Sequence, residues 1–277
     1  MKTKMILCAI ALLGCFSCSR ENSVMNDLVE ESETVTLNFS PYVIEPITRS
    51  AISEFATHID IWLVDGSNVT DVHQSSTDAG FGSISVELNR KKMYTLYAIA
   101  HKCASDATLS EGVISFPDDK ITQSFFYTTS FTPATTTSLN CVMSRIVAQF
   151  TLSTTDAIPD EVAKFKFEIP QTFSKWNVAG YGTTPIDRVS TINLTSRKPD
   201  GSAAFNLFFI TASDETTLDI TVTALDGDDN VIESRTFDNV PMKNNYKTTL
   251  SGEFFVSIPT GFTLTASEWQ TLDEIDF

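Results

Sequence analysis

Helical periodicity, catalytic signatures and cysteine pairs are all scarce in this sequence of 277 residues. No stretch keeps a 3.6-residue apolar period over three turns. The two short exceptions are Asp160–Ala163 and Ala266–Leu272, the latter with Thr265 or Ser267 as a cap, and neither is long enough to form a helical layer. The patterns G-x-S-x-G, H-E-x-x-H, G-x-x-x-x-G-K-[ST] and G-x-G-x-x-G are missing, which removes the common signatures of hydrolases, zinc proteases and nucleotide-phosphate binding. Carboxylates are plentiful, yet no Asp/Glu pair is singled out for glycoside hydrolysis. The expectation is a protein with no catalytic residues, no metal and no cofactor, and not an enzyme.

Basic residues are also in deficit, with 19 Lys and Arg against 35 Asp and Glu, a formal charge of −16. Such a surface repels phosphate backbones, so nucleic acid is excluded as a partner. Histidine is limited to His58, His73 and His101, on separate segments without ligand spacing, and the expectation is surface or half-buried rings without a metal. Of the five cysteines only Cys103 and Cys141 lie beyond residue 18, too few for a disulfide framework. Lone buried thiols are the first reading, and a Cys103–Cys141 pair is the second.

The N-terminus carries the clearest positive signal. Lys2 and Lys4 precede the apolar run Met5–Leu13, which is shorter than the roughly 20 residues a membrane-spanning helix needs and reads as a signal peptide. It ends in Leu12-Leu13-Gly14-Cys15-Phe16-Ser17-Cys18, where a small residue precedes each of two cysteines, as lipoprotein processing requires. Cys18 is the first choice for lipidation because a polar stretch follows it. Cys15 is the alternative, having the better upstream sequence. Residues 1–17 are then the signal peptide and 18–33 a flexible tether, with Glu30, Glu31 and Glu33 near its end. Losing Lys2 and Lys4 takes the charge from −16 to −18, since residues 1–17 contain no acid.

Beyond the tether the period is two. Val35–Phe39, Ile84–Leu88, Phe165–Ile169 and Leu218–Val222 alternate apolar with polar residues, and Tyr94–Ile99, Ile146–Leu152 and Tyr246–Val256 do so more weakly. One wet face per strand implies antiparallel sheets packed through the other. Asp65–Asn68, Lys198–Gly201 and Asp226–Asn230 read as turns between strands. Asp226–Asn230 lacks the spacing and closing Glu of a calcium loop, so a hairpin is expected there. A Thr-rich break at Tyr127–Asn140 divides the chain into 34–140 and 141–277, each of β-sandwich size. The predicted fold class is all-β, two tandem antiparallel β-sandwich domains, with a single large jelly-roll as the competitor. Three Asn-x-Ser/Thr sequons, at Asn38, Asn68 and Asn193, carry little weight in a bacterial lipoprotein.

Two stretches carry more than a fold. Met143-Ser144-Arg145-Ile146-Val147-Ala148-Gln149-Phe150 resembles the strand that opens the C-terminal domain of the fimbrillin-like lipoproteins of Bacteroides-type bacteria. Val240–Phe255 is similar to that family's late strand: the basic-Asn turn Lys243-Asn244-Asn245, then Lys247-Thr248, then Gly252-Glu253-Phe254-Phe255. The same residues also have a purely local reading as a tight turn followed by an alternating strand.

The resemblance implies a transthyretin/fimbrillin-like fold. It further implies a fimbrial (pilus) anchor or subunit in cell adhesion, held at the outer membrane by its N-terminal lipid and partnered by other fimbrial subunits through strand addition. In such fimbriae a protease removes the first strand of a structural subunit after an Arg, and here that residue is Arg49, in Ile47-Thr48-Arg49-Ser50-Ala51. Anchor-type members keep their N-terminus. The segment Gly261–Leu264, Trp269 and Leu272–Phe277 is the candidate donor strand, but Leu272, Ile275 and Phe277 do not alternate cleanly, which favours an ordinary edge strand closing the second sandwich. The alternative function is a carbohydrate- or host-binding surface lipoprotein, with Trp176 and Tyr181 as candidate aromatic platforms.

Overall fold

The structure, a computed structural model, describes residues 34–45, 48–133, 138–195, 198, 200–211, 216–256 and 261–268. The expected signal peptide, the tether, Cys15 and Cys18, Thr135–Thr137 and the terminal segment from Trp269 onward lie outside the described residues.

Nineteen strands follow one another among the described residues: β1 (Thr34–Glu45), β2 (Thr48–Ala51), β3 (His58–Asp65), β4 (Asn68–Ser75), β5 (Ile84–Asn89), β6 (Tyr94–His101), β7 (Thr108–Ser110), β8 (Val113–Ser115), β9 (Ser124–Phe131) and β10 (Ser138–Val142) in the first half. The second half holds β11 (Ser144–Arg145), β12 (Ala148–Thr154), β13 (Lys164–Asn177), β14 (Tyr181–Asn193), β15 (Ala204–Phe209), β16 (Thr216–Leu225), β17 (Val231–Met242), β18 (Tyr246–Gly252) and β19 (Phe262–Glu268). The alternating runs predict these strands well. In β13, for example, Phe165, Phe167 and Ile169 point into a core while Lys166 and Glu168 stay half-exposed and pair with each other at 2.8 Å.

The pairing repeats itself. In the first half β1 lies between β5 and β10, while a second sheet runs β4-β3-β6-β9. In the second half β12 lies between β15 and β18, while a second sheet runs β14-β13-β16-β17. Each half is thus the same seven-stranded sandwich, and each has its own apolar core. Leu37, Phe39, Ile59, Ile61, Leu63, Leu96 and Phe125 fill the first. The second centres on Phe150, Phe165, Phe167, Phe205, Phe209 and Phe254. Strand number also explains a departure from the expected all-antiparallel pairing. Seven strands that reverse at each step leave the first and the seventh running the same way, so β1 pairs parallel with β10 and β12 parallel with β18.

Three expectations need correction. The Tyr127–Asn140 break is largely strand, because β9 extends to Phe131 and β10 begins at Ser138. Asp160–Ala163 is a turn, with the Val162 amide on the Pro159 carbonyl at 3.1 Å, and Ala266–Glu268 belongs to β19, where cross-strand pairing with β18 overrides a weak local helical signal. Pairing also crosses the division at 140/141: β10 spans it, and the β7-β8 hairpin from the first half extends the second half's sheet through β13. That hairpin helps form a third core at the seam between the sandwiches, where Trp62, Ile99, Ile114, Phe116, Phe126, Ile146 and Trp176 meet.

Candidate functional site

Strand β3 sends Ile59, Ile61 and Leu63 into the first core, and alternation therefore turns Asp60 and Trp62 to the opposite face, toward the seam. Asp60 is completely buried there. Register brings its partners: His73 on β4 lies opposite Asp60, and His101 on β6 lies opposite His58. His73 Nδ1 is 2.6 Å from Asp60 Oδ1, while Oδ2 accepts from His101 Nε2 at 2.8 Å and from the Ala107 amide at 2.9 Å. Three donors offset the cost of burying the carboxylate. His58 stacks on His101 with ring centroids 5.4 Å apart and interplanar angle 5°.

The protons follow from the donors. The Cys103 amide donates to His101 Nδ1 at 3.1 Å, which fixes the proton of the neutral ring on Nε2, facing Asp60. Burial opposes the charged ring of His101, but the Asp60 hydrogen bond and the Cys103 thiol outweigh it and push the ring up to about 9. A nitrogen that accepts the Cys103 amide cannot also carry a proton, so charging the ring and keeping that bond exclude one another. His73 faces Asp60 through Nδ1 and Asp71 through Nε2, the latter at 3.3 Å; burial lowers its proton affinity, and the Asp60 bond and charge raise it further, for a net rise.

The expectation of surface or half-buried histidines holds for His58 and His73 and is corrected for His101, which is completely buried; sheet register brings His73 and His101 onto one buried aspartate. Asp60 is a residue that sequence reasoning passed over, although an acid inside Ile59-Asp60-Ile61-Trp62-Leu63 was a readable signal. Asp60, His73 and Asp106 have ligand-type atoms within 4.8 Å of one another, the one such group among the described residues.

A cleft of about 860 Å³ opens between the 118–123 segment and strands β14 and β15, with Lys102, Lys120, Asp187, Arg188 and Phe208 among its lining. Arg188 spans it, donating through Nε to Ser190 Oγ at 3.2 Å and through Nη2 to the Ile121 carbonyl at 3.3 Å. Burial pulls the Arg188 guanidinium below its ordinary value.

The other sequence candidates fall into place individually. Arg49 lies within β2, its backbone opposite Ile44 of β1, rather than in a loop. Cys103 and Cys141 are both buried and free. Trp176 is no exposed platform: it is 6% exposed and packs edge-on against Phe126, whereas Tyr181 is half-exposed at 51%. Asp226 spends its carboxylate on its own hairpin, accepting from the Asp228 and Asn230 amides and from Asn230 Nδ2, which holds it below the usual carboxylate range. Asn245 takes the positive φ of 64° expected of the Lys243–Asn245 turn.

The position of β1 bears most on assembly. It bridges β5 and β10 and supplies Leu37, Phe39 and Val43 to the first core. β19 lies outside the sandwich repeat; among the described residues it pairs only with β18, and Thr263–Ala266 of it are exposed.

No curated protein matches the sequence. Among solved structures the chain is similar to a candidate cell adhesion protein from Bacteroides ovatus, at 14% identity over 84% of this chain and 95% of that one, with TM-score 0.50. It is also similar to candidate polysaccharide-binding proteins (DUF1812) from Bacteroides thetaiotaomicron, at 9% identity over 84% and 98%, with TM-score 0.54. The fimbrial anchor protein Mfa2 from Porphyromonas gingivalis aligns over 85% and 98% at 10% identity, but its TM-score of 0.45 is too low for an argument. At these identities the likeness is one of fold alone, and the shared fold is the all-β sandwich expected from the sequence. The family model for DUF6562 matches residues 105–267, more than half of the sequence, and the chain belongs to this family of unknown function.

Proposed function

We propose that this chain is a non-enzymatic, lipid-anchored surface protein of the outer membrane that acts in cell adhesion as a fimbrial anchor or subunit, joined to its neighbours by strand addition. One observation carries the reading: among the described residues β1 lies between two strands that pair with each other through nothing else in their sheet, and Arg49 lies in β2, the next strand of the chain. Cleavage after Arg49 frees β1. Its departure opens a strand-wide groove between β5 and β10 and uncovers the pockets of Leu37, Phe39 and Val43, worth roughly 5–9 kcal/mol at about 1.5–3 kcal/mol each. An alternating strand from a neighbour restores both the ladder and the burial. β19 is the end of the chain suited to donate, because exposed side chains cost little to detach. With β1 and the lipid on Cys18 or Cys15 retained, the molecule is the base of a fibre; with both lost it is a shaft or tip subunit.

Intact-mass measurement on protein from cell envelopes tests this. A chain beginning at acylated Cys18 or Cys15 identifies an anchor, and one beginning at Ser50 a processed subunit. Deletion of residues 258–277 should abolish entry into high-molecular-weight surface polymers, and polymers that persist would refute the donor role.

The cleft beside Arg188 favours a second reading, carbohydrate or host-ligand binding, in line with the candidate polysaccharide-binding role of the similar Bacteroides thetaiotaomicron proteins. Glycan-array binding that survives both the 258–277 deletion and loss of polymer assembly would establish it instead.

A further inference from the structure

We propose that Asp60, His73 and Asp106 form a binding site for a divalent cation of the zinc class. The three ligands come from β3, from β4 and from the loop after β6, and their ligand atoms already lie within 4.8 Å of one another. One imidazole nitrogen among carboxylate oxygens suits zinc better than calcium, which prefers oxygen alone.

A cluster of acids on a surface is not by itself a site, and what distinguishes this one is the support behind each ligand. Asp60 Oδ2 is held by the His101 Nε2–H at 2.8 Å and the Ala107 amide at 2.9 Å, which aims Oδ1 at His73. His73 in turn has Asp71 Oδ2 on its Nε2 at 3.3 Å, leaving Nδ1 directed at Asp60 and the cluster's centre. A carboxylate on the far nitrogen of a ligating histidine fixes its tautomer and strengthens its donation, and a hydrogen-bonded carboxylate ligand is the usual companion. Both devices are present before any ion arrives. Asp60 is also completely buried, so it cannot swing away, while Asp106 is exposed and free to close over the ion.

Little movement is required. Ligand atoms around a tetrahedral zinc stand about 3.3 Å apart. His73 Nδ1 and Asp60 Oδ1, now 2.6 Å apart, would therefore separate by about 0.7 Å as the ion replaces their shared proton. Solvent completes the coordination. The ion would clamp the β3-β4 hairpin to the loop that leads into β7, beside the seam core. This inference is independent of the fimbrial reading.

The test uses the full chain, stripped with EDTA and titrated with Zn²⁺ by isothermal titration calorimetry. Saturable binding is expected at a Kd on the order of 1 μM. Asp106→Asn and His73→Ala should each weaken it at least about tenfold, and His58→Ala should leave it unchanged. Asp106 is exposed, so its variant keeps the fold, which near-UV circular dichroism checks; the difference it makes also separates this site from the thiols of Cys8, Cys15 and Cys18. Binding that is absent, or that is the same in Asp106→Asn as in the unaltered chain, overturns the proposal. Equal binding of Ca²⁺ overturns the assignment to the zinc class.

Discussion

Asp60 and His101 meet at 2.8 Å across forty-one residues of chain, with neither side chain exposed to solvent. The pair ties two adjacent strands together on the face that turns away from the first core. It also sits beside the seam, where Phe116 packs edge-on against the His101 ring at 5.9 Å.

Breaking this pair from one side leaves a buried group without compensation. Asp60→Ala should lower unfolding free energy by about 3–5 kcal/mol, read from the urea midpoint. His58→Ala removes only a stacked ring and should cost much less.

Cys141 tests the first core chemically. Burial pushes its thiol up to about 12, so the native protein should resist iodoacetamide at pH 8 while the urea-unfolded chain is modified at once. The linkage has a definite sign: an unfolded thiol ionises near pH 8.5 and the folded one does not, so stability is full below that value and declines as pH rises toward 12. Peptide mapping of the alkylated site and urea midpoints at rising pH check both points.

Phe39 is fully buried on β1. Phe39→Ala should cost about 3–5 kcal/mol, and a synthetic peptide matching residues 34–45 should bind protein cleaved after Arg49, whereas the same peptide bearing Phe39→Ala should bind weakly. Fluorescence anisotropy of the labelled peptide reports the difference.

Gly252 pairs with Phe262 of β19, and a Cβ there would meet Phe262 Cδ1 at 2.7 Å and the Gly261 carbonyl at 2.9 Å. Gly252→Val should therefore loosen β19. Overpacking of about 1–3 kcal/mol corresponds to amide exchange faster by roughly 5- to 150-fold over 262–268, with β12 and β13 unchanged.

Much of the fold was legible because strand period is a local property: Phe165-Lys166-Phe167-Glu168-Ile169 alternates whatever lies around it. Turn chemistry was legible for the same reason, as Asp226 and Asn245 adopt the roles their short polar side chains suggest. Trp176 was misjudged because its loop-like surroundings belong to β13 and are buried by a hairpin from the other half of the chain. The Asp60 cluster was missed because His58, His73 and His101 have no common spacing in sequence.

By itself the sequence determined the strands, the turns, the acidic surface and the expectation of a lipid on Cys18 or Cys15, all of which depend on residues within a few positions of each other. Tertiary structure alone decided that β1 bridges two otherwise separate strands, that each sandwich closes with a parallel pair, and that one aspartate gathers two histidines. Those are matters of register between distant strands. Register is set when two faces bury their apolar side chains together, and no single strand carries that information.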